Sequence, residues 1–174
     1  MRLVKNIVLI GMPCCGKTAV AKKLASILGV MSVDTDELVE FELGQKVAEI
    51  FTNHGEKVFR KYETMALSSA VKMENVVIST GGGVVESQTN INLLKDCFVI
   101  YLSASKNALL KRLDGTNRPL LKGDIPKKLD DIYLKRKNIY ESWRDATVFT
   151  SSISIHTVAK RIYDILIDMN IAES

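Results

Sequence analysis

Residues 11–18 read Gly-Met-Pro-Cys-Cys-Gly-Lys-Thr and match the pattern G-x-x-x-x-G-K-[ST], which is typical of loops that bind phosphate. Residues 6–10 form an apolar run that suits a buried parallel strand. Residues 19–28 have the apolar periodicity of a helix. In this order, the backbone N–H groups of the loop and of the helix N-terminus form a cradle for anionic oxygens. The sequence therefore predicts a nucleotide phosphate site, rather than a glycine-containing turn with a solvated lysine.

Two side chains of this loop carry the chemistry that such a site needs. Lys17 can reach the terminal phosphates of a nucleotide, and Thr18 can ligate Mg²⁺. Gly11 and Gly16 let the backbone turn and come close to the ligand. The residues predicted to bind the nucleotide are consecutive in the chain: Gly11, Met12, Pro13, Cys14, Cys15, Gly16, Lys17, Thr18 and Ala19.

A pair of carboxylates follows the next predicted strand, which spans residues 30–33. Asp34 and Asp36 are two residues apart, so both could face one cavity. Carboxylates there can hold Mg²⁺ through water, or accept a proton from an attacking hydroxyl. The same segment also suits the start of a helix, with Thr35 or Asp36 as the capping residue. Both interpretations hold together if Asp34 faces the site and Thr35 caps the helix.

Three consecutive glycines, Gly81, Gly82 and Gly83, follow a predicted strand at residues 76–79. They expose backbone N–H groups and let a ligand approach closely, although a plain flexible loop is an alternative. In sheets of parallel strands, ligands bind beyond the carboxyl ends of the strands. We therefore expect the glycine run, the phosphate loop and the two aspartates to meet at one site.

The rest of the chain alternates between strand and helix patterns, with no internal repeat and no linker. The strands are predicted at residues 6–10, 30–33, 76–79, 97–102 and 147–150. The helices are predicted at residues 19–28, 38–41, 47–51, 58–71, 90–95, 105–113, 125–143 and 156–169, with breaks at Gly44 and Gly55. This alternation predicts a single α/β domain over residues 1–174, with a five-stranded parallel sheet covered by helices on both faces.

Composition narrows the range of partners. A net charge of +4 suits an enzyme for small anions better than a nucleic-acid-binding protein, which is usually more basic. We expect no membrane association, because no apolar run is long enough to span a bilayer and no signal peptide precedes the first strand. The three cysteines are odd in number and none lies in a C-x-x-C pair. They predict reduced thiols and a cytoplasmic protein, with no disulfide framework and no zinc site.

Taken in order, these motifs make the chain resemble the shikimate kinase family over nearly its whole length. The matching pieces are residues 11–18, Asp34-Thr35-Asp36, Ile50-Phe51, Gly55-Glu56, Phe59-Arg60 through Glu63, residues 81–83, Arg118-Pro119-Leu120-Leu121, and Lys135-Arg136 with Tyr140. The resemblance implies a three-layer P-loop kinase fold, with a substrate-binding segment at about 34–62 and a mobile lid at about 114–124. It implies transfer of the γ-phosphoryl group of ATP to the 3-hydroxyl of shikimate, using Mg²⁺, on the route to chorismate and the aromatic amino acids.

The resemblance also implies residue roles on the nucleotide side. Lys17 would steady the β- and γ-phosphates, while Thr18 and Asp34 would lie nearest the metal. Arg118 would close onto the phosphates with the lid, and Arg112 would lie near the nucleotide base. A mobile cation is a sensible part of such a site, because phosphoryl transfer depends mostly on positioning and charge stabilisation. A closing loop also excludes water, which competes as the acceptor.

On the acceptor side, the resemblance makes Asp36 the group that holds the reacting hydroxyl and serves as base. Arg60 and Arg136 would grip the substrate carboxylate, and residues 81–83 would line the pocket with backbone donors. Arginine suits this task because its planar fork binds a carboxylate through two bonds. The implied partners are shikimate and ATP, bound by a monomer.

Each arginine has a simpler interpretation. Arg60 could pair with Glu63 three residues on, and Arg136, between Lys135 and Lys137, could belong to a solvated face. Two other functions also stay open: a P-loop kinase for another small hydroxy acid such as gluconate, and a non-catalytic nucleotide-dependent switch. The joint pattern of loop, carboxylates and arginines favours shikimate phosphorylation over both.

The phosphate loop departs from the family at Cys14 and Cys15, where small residues such as Gly and Ser are usual. A helix N-terminus and a nearby lysine favour the reactive thiolate form of a cysteine, so we expect thiol reagents to attack these two positions. The alternative is that both are simply small residues that fit the loop. Cys97, in an apolar strand, is expected to be inert.

Overall fold

The computed structural model of the protein describes residues 1–113 and 124–173. Nearly all of the predicted lid lies outside the described residues, and so does Arg118. No helix in the described ranges is both long and apolar enough to cross a membrane.

Within the described residues, seven strands form two sheets: β1 Arg2–Leu3, β2 Ile7–Ile10, β3 Met31–Asp34, β4 Val76–Ser79, β5 Phe98–Ser103, β6 Ala146–Phe149 and β7 Ala172–Glu173. The larger sheet has the order β3-β4-β2-β5-β6, and all of its pairs are parallel. Every residue of β2 and β4 is buried, which explains why these strands are continuous apolar runs rather than alternating patterns. The predicted five-stranded parallel sheet is confirmed.

The smaller sheet was not predicted. It pairs β1 with β7 in antiparallel fashion, two residues from each strand. Segments this short show no measurable periodicity, so nothing in the sequence distinguishes them from loops.

In residues 1–113 and 124–173, seven α-helices connect and cover the strands: α1 Lys17–Leu28, α2 Thr35–Leu43, α3 Val47–Ala70, α4 Gln88–Leu93, α5 Lys106–Leu113, α6 Ile125–Trp143 and α7 Ile155–Asp168. A 3-10 turn, Val84–Glu86, follows the three glycines. Helix α1 packs against α7 and against β3 and β4, while α6 contacts β5 and the 3-10 turn. These layers enclose a core of buried aliphatic side chains that centres on the parallel sheet.

The predicted break at Gly55 is a kink inside α3 rather than the end of a helix. Gly55 has φ 78° and ψ 169°, a backbone conformation that favours glycine. The kink lets the two parts of α3 fold around a small second core of Val39, Ile50, Phe59 and Ala66. The rings of Phe51 and Phe59 meet across it, with centroids 4.6 Å apart. Helices α2 and α3 therefore form a lobe with its own core beside the sheet.

Candidate active site

A cavity of about 370 Å³ opens at the carboxyl ends of β2, β3 and β4. The predicted site residues that line it are Pro13, Cys14, Gly16, Lys17, Thr18, Ala19, Asp34, Asp36, Arg60, Gly81, Gly82, Gly83, Arg112 and Arg136. The structure thus brings the three polar clusters and both predicted arginine anchors to one place. Val47, Phe51 and Phe59 add an apolar wall. Gly11, Met12 and Cys15 are buried next to the cavity and do not form part of its lining.

The phosphate loop is held in shape by its own lysine. Lys17 is only 8% exposed, and its Nζ donates hydrogen bonds to the carbonyl oxygens of Gly11 at 2.9 Å and Met12 at 3.0 Å. A Cβ atom on Gly11 would lie 2.5 Å from the carbonyl oxygen of Leu102 on β5, so the first glycine of the motif is needed for close packing on the sheet. The loop is therefore fixed at both ends.

Asp34 joins the loop to the second strand and starts the helix after it. Its Oδ2 accepts a hydrogen bond from Thr18 Oγ1 at 2.7 Å, and its Oδ1 accepts one from the Asp36 backbone N–H at 2.9 Å. The second bond makes Asp34 the N-cap of α2. The prediction that Thr35 caps this helix is wrong: Thr35 is fully buried, and its hydroxyl accepts a hydrogen bond from the Gly81 backbone N–H at 3.2 Å. A buried donor needs a partner, and Gly81 takes the hydroxyl that would otherwise cap the helix.

Thr18 and Asp34 also offer the kind of oxygens that Mg²⁺ prefers. Mg²⁺ keeps several waters and usually takes one or two protein oxygens together with substrate phosphates. Within residues 1–113 and 124–173, no group of three or more His, Cys, Asp or Glu side chains is placed to hold a metal. A hydroxyl and a carboxylate 2.7 Å apart beside a phosphate loop therefore fit Mg²⁺ bound jointly with phosphate oxygens.

The three glycines leave room for side chains from other elements. A Cβ atom on Gly81 would overlap Glu63 Oε1, one on Gly82 would lie 2.9 Å from Pro13 Cδ, and one on Gly83 would overlap the guanidinium of Arg60. Gly83 has an ordinary negative φ of −93°, so close approach explains this glycine better than conformational freedom. The alternative of a plain flexible loop is wrong for this segment, because each glycine has a specific neighbour.

Arg60 lies on α3 between two glutamates. Its Nη1 donates to Glu63 Oε2 at 2.8 Å, and its Nη2 donates to Glu56 Oε1 at 2.9 Å. The simpler interpretation, a pair with Glu63, is therefore present, and the same guanidinium lines the cavity. Burial raises the pKa of Glu63 above its ordinary value, and the charge of Arg60 opposes that rise. Glu63 braces an arginine that still faces the site.

Arg136 is 2% exposed, so the alternative that it belongs to a solvated face is wrong. Its Nε donates a hydrogen bond to Glu86 Oε1 at 2.7 Å, and its Nη2 forms an ion pair with the same oxygen at 2.6 Å. Lys135 Nζ binds the other oxygen of Glu86 at 3.0 Å. Burial raises the pKa of Glu86, but the hydrogen bond from Lys135 and the charge of Arg136 outweigh burial and leave the pKa below its ordinary value. Glu86 is thus an ionised partner for both cations.

Glu86 was not identified as a site residue from the sequence. It lies 50 residues before Arg136, and no periodic pattern connects the two. The available signal was an acidic residue three positions after Gly83, close to a strand end where ligands bind. That signal is weak by itself, because acidic residues are common in loops.

Tyr140 ties α6 to the glycine run one turn after Arg136. Its hydroxyl donates to the carbonyl oxygen of Gly82, and its ring stacks on Tyr101 with centroids 5.2 Å apart. Burial raises the pKa of Tyr140 far above its ordinary value, which keeps the hydroxyl protonated as a donor. The glycine run is therefore held by α6 on one side and by Thr35 on the other.

Arg112 connects the phosphate loop with the segment that follows β6. Its Nη2 donates to the Thr150 carbonyl oxygen at 2.6 Å, and its Nη1 donates to the Cys15 carbonyl oxygen at 3.3 Å. Cys14 is partly exposed in the cavity, whereas Cys15 is 1% exposed. Of the two loop thiols, the structure leaves only Cys14 accessible.

A central strand that leads into a phosphate loop, with carboxylates and arginines across one cavity, defines a P-loop kinase for a small molecule. The family model for shikimate kinase matches residues 13–167. The chain belongs to the shikimate kinase family, and membership implies the use of ATP.

Individual relatives agree with the family model. The chain is 41% identical to the shikimate kinase of Caldanaerobacter subterraneus subsp. tengcongensis over 160 residues, which are 91% of this chain and 94% of that one. It is 42% identical to the shikimate kinase of Caldicellulosiruptor bescii over 164 residues, 92% and 95% of the two chains.

Solved structures are similar as well. Shikimate kinase from Acinetobacter baumannii in complex with shikimate has a TM-score of 0.92 at 31% identity and covers 95% of this chain and 94% of its own. Shikimate kinase from Aquifex aeolicus has a TM-score of 0.80 at 30% identity, covering 95% and 98%. The predicted three-layer P-loop kinase fold is confirmed.

Proposed function

We propose that this chain transfers the γ-phosphoryl group of ATP to the 3-hydroxyl of shikimate, giving shikimate 3-phosphate on the route to chorismate and the aromatic amino acids. One observation carries the proposal: the phosphate loop, Asp36 and two buried or half-buried arginines line the same cavity. Family membership and the similarity to an enzyme solved in complex with shikimate support it.

On the nucleotide side, we assign the phosphates to the backbone of residues 11–19, with Lys17 holding the β- and γ-phosphates. The ammonium of Lys17 has three donors. Two of them bind the carbonyls of Gly11 and Met12, and the third, near Cys15 Sγ at 3.8 Å, can turn to a phosphate oxygen. Arg112, which donates to the Cys15 carbonyl oxygen of the phosphate loop, would lie near the nucleotide base. Arg118 and a closing lid at about 114–124 remain predictions from the sequence.

We assign Mg²⁺ to Thr18 and Asp34, whose oxygens suit it. When bound, the ion would neutralise charge on the phosphate oxygens during transfer. Asp34 would orient the hydroxyl of Thr18, and both would depend on the N-cap bond that fixes Asp34.

On the acceptor side, we assign the substrate carboxylate to Arg60 and Arg136. Gly81, Gly82 and Gly83 line the pocket. We assign its backbone donors to Gly82 and Gly83, because the N–H of Gly81 already donates to the hydroxyl of Thr35. We assign the reacting hydroxyl to Asp36, which would orient it and accept its proton. Asp34 suits that task less, because each of its carboxylate oxygens already accepts a hydrogen bond, one from Thr18 and one from the backbone of Asp36.

The proposal is tested by a coupled assay that follows ADP formation with ATP and shikimate, gluconate or no acceptor. We expect Mg²⁺-dependent turnover with shikimate only. Equal ATP hydrolysis with and without shikimate would contradict a kinase function, and faster turnover with gluconate would reassign the acceptor. Omission of the metal, with chelator present, tests the Mg²⁺ assignment in the same assay.

We further propose that the enzyme acts as a monomer in the cytoplasm. The three cysteines are all free, which suits a reducing compartment. Light scattering coupled to gel filtration, with and without substrates, measures the first of these properties.

A further inference from the structure

Glu86 is placed by the same loop that lines the cavity. The backbone N–H of Val84 donates to the Gly81 carbonyl oxygen at 3.2 Å, and that of Glu86 donates to the Gly83 carbonyl oxygen at 2.9 Å. The fully buried Asn90 donates from Nδ2 to the Val84 carbonyl oxygen at 2.8 Å. The 3-10 turn is therefore anchored at both ends, and the carboxylate of Glu86 leaves it at a defined point.

That carboxylate occupies one edge of the Arg136 guanidinium. Glu86 Oε1 accepts a hydrogen bond from Nε and forms an ion pair with Nη2. Nη1 is buried and has no hydrogen-bond partner among the described residues. Burial raises the pKa of Tyr140 and the charge of Arg136 opposes that rise, which places the Tyr140 hydroxyl near the guanidinium. Because the guanidinium is planar and rigid, fixing its Nε edge also fixes the direction of its remaining N–H groups.

Glu86, Lys135 and Arg136 together carry one net positive charge, because Glu86 is shared between the two cations. Glu63, which is paired with Arg60, also interacts with Arg136 through its charge. Lys135 is 64% exposed and Arg136 is 2% exposed, which leaves the buried guanidinium as the cation on the cavity side. A buried cation of this kind attracts an anion that enters the cavity.

We propose that Glu86 is a positioning residue that holds Arg136 in the orientation that receives the carboxylate of the acceptor. The inference rests on the proposed function of the site, since it concerns how the same carboxylate is bound. Glu86 does not contact the acceptor in this proposal. It holds the Nε edge of the Arg136 guanidinium, and Arg136 binds the carboxylate.

Substitution of Glu86 distinguishes positioning of Arg136 from simple neutralisation of its positive charge. If Glu86 only weakens the positive charge of Arg136, Glu86→Ala should lower the KM for shikimate, because the cation would be freed. If Glu86 positions Arg136, the same change should raise that KM, by about tenfold for one lost charge-assisted contact. The KM for ATP should stay within about twofold, because the affected side chains lie outside the phosphate loop.

The control is Asp130→Ala, which removes a carboxylate of α6 that pairs with Lys106 at 2.5 Å and does not line the cavity. It should leave both KM values unchanged. Should Glu86→Ala fold poorly, Glu86→Gln replaces it, because an amide oxygen still accepts from Nε and should raise the shikimate KM by a smaller factor. Circular dichroism and the thermal midpoint verify the fold of each variant.

Arg136→Met distinguishes failure of this inference from failure of the proposed function. We expect Arg136→Met to raise the shikimate KM, and Glu86→Ala to add little in that background, because the two residues act as one unit. A raised KM in Arg136→Met with an unchanged or lowered KM in Glu86→Ala would overturn the positioning role alone. An unchanged KM in Arg136→Met would overturn the anchor in the proposed function and the positioning role with it.

Discussion

The phosphate loop and the acceptor pocket are built in opposite ways. In the phosphate loop, Lys17 binds carbonyls five and six residues before it. In the acceptor pocket, Arg136 depends on Glu86 from 50 residues away, and Tyr140 depends on Gly82 from 58 residues away. Recognition of phosphate is therefore a property of one short segment, whereas recognition of the acceptor depends on the packing of α3, α6 and the glycine run.

This difference predicts that most substitutions affect one substrate and leave the other unchanged. The two regions meet at Asp34, which binds Thr18, and at Gly82, which packs on Pro13. The KM values of variants at these two junctions, compared with those of variants elsewhere in the site, measure how independent the two regions are.

The largest effect is expected at Asp36, where the two substrates would meet. Asp36→Asn should lower kcat by about 100- to 10,000-fold, because an amide cannot accept the hydroxyl proton, and general-base terms are of this size. Both KM values should change little. The measurement is steady-state kinetics on a variant with an intact circular dichroism spectrum. A kcat above about a tenth of the wild-type value would argue against a base role.

The next largest effect is expected at the glycine run. In Gly83→Ala the new Cβ would overlap the Arg60 guanidinium, which is the end of a flexible side chain and should be displaced. The KM for shikimate should rise about 10- to 100-fold, the size of a lost charged hydrogen bond, while the KM for ATP should stay constant.

Gly82→Ala is the matched comparison in the same loop. Its Cβ would lie 2.9 Å from Pro13 Cδ, so it should raise the KM for ATP. If both variants change the same KM, the two regions are mechanically coupled and the comparison fails.

A smaller effect is expected from Arg136→Lys. The positive charge stays, but the planar fork that binds a carboxylate through two bonds is lost. Calorimetry should show shikimate affinity reduced by about tenfold and ATP affinity unchanged. Unchanged shikimate affinity would remove Arg136 from the acceptor site.

The smallest expected difference is in how far nucleotide slows the alkylation of the accessible thiol of the phosphate loop. Alkylation should inactivate the enzyme through Cys14, because an adduct there would occupy the cavity, while Cys15 is sealed. Burial raises the pKa of Cys97 to about 11, so Cys97 should not react and serves as the internal control. At a concentration equal to its Kd, Mg²⁺-ATP should slow alkylation about twofold by mass action.

Peptide mapping after brief alkylation checks this prediction. Shikimate alone should give no protection, since it would bind in the other region. Labelling of Cys14 without loss of activity, or at a rate that nucleotide does not change, would show that the thiol lies clear of the nucleotide.

The sequence predicted most features whose residues lie close together along the chain. The phosphate loop, the Asp34–Asp36 pair and the parallel strands were identified because each has a signal within a few residues, and the glycine run was located although its neighbours were not. The capping role given to Thr35 was wrong because the competing donor, Gly81, comes from 46 residues away. Glu86 was missed for the same physical reason: a pair formed by tertiary packing leaves no periodicity in the sequence.

Lys17 has a consequence beyond its contact with phosphate. Its bonds to Gly11 and Met12 close the loop into a compact ring before the first turn of α1. The conformational entropy of the loop is therefore lost when the chain folds, and not when a nucleotide binds. The stability of the fold and the affinity for nucleotide are therefore linked through Lys17. A substitution that loosens the ring would leave the loop to be ordered each time a nucleotide binds, which would weaken binding.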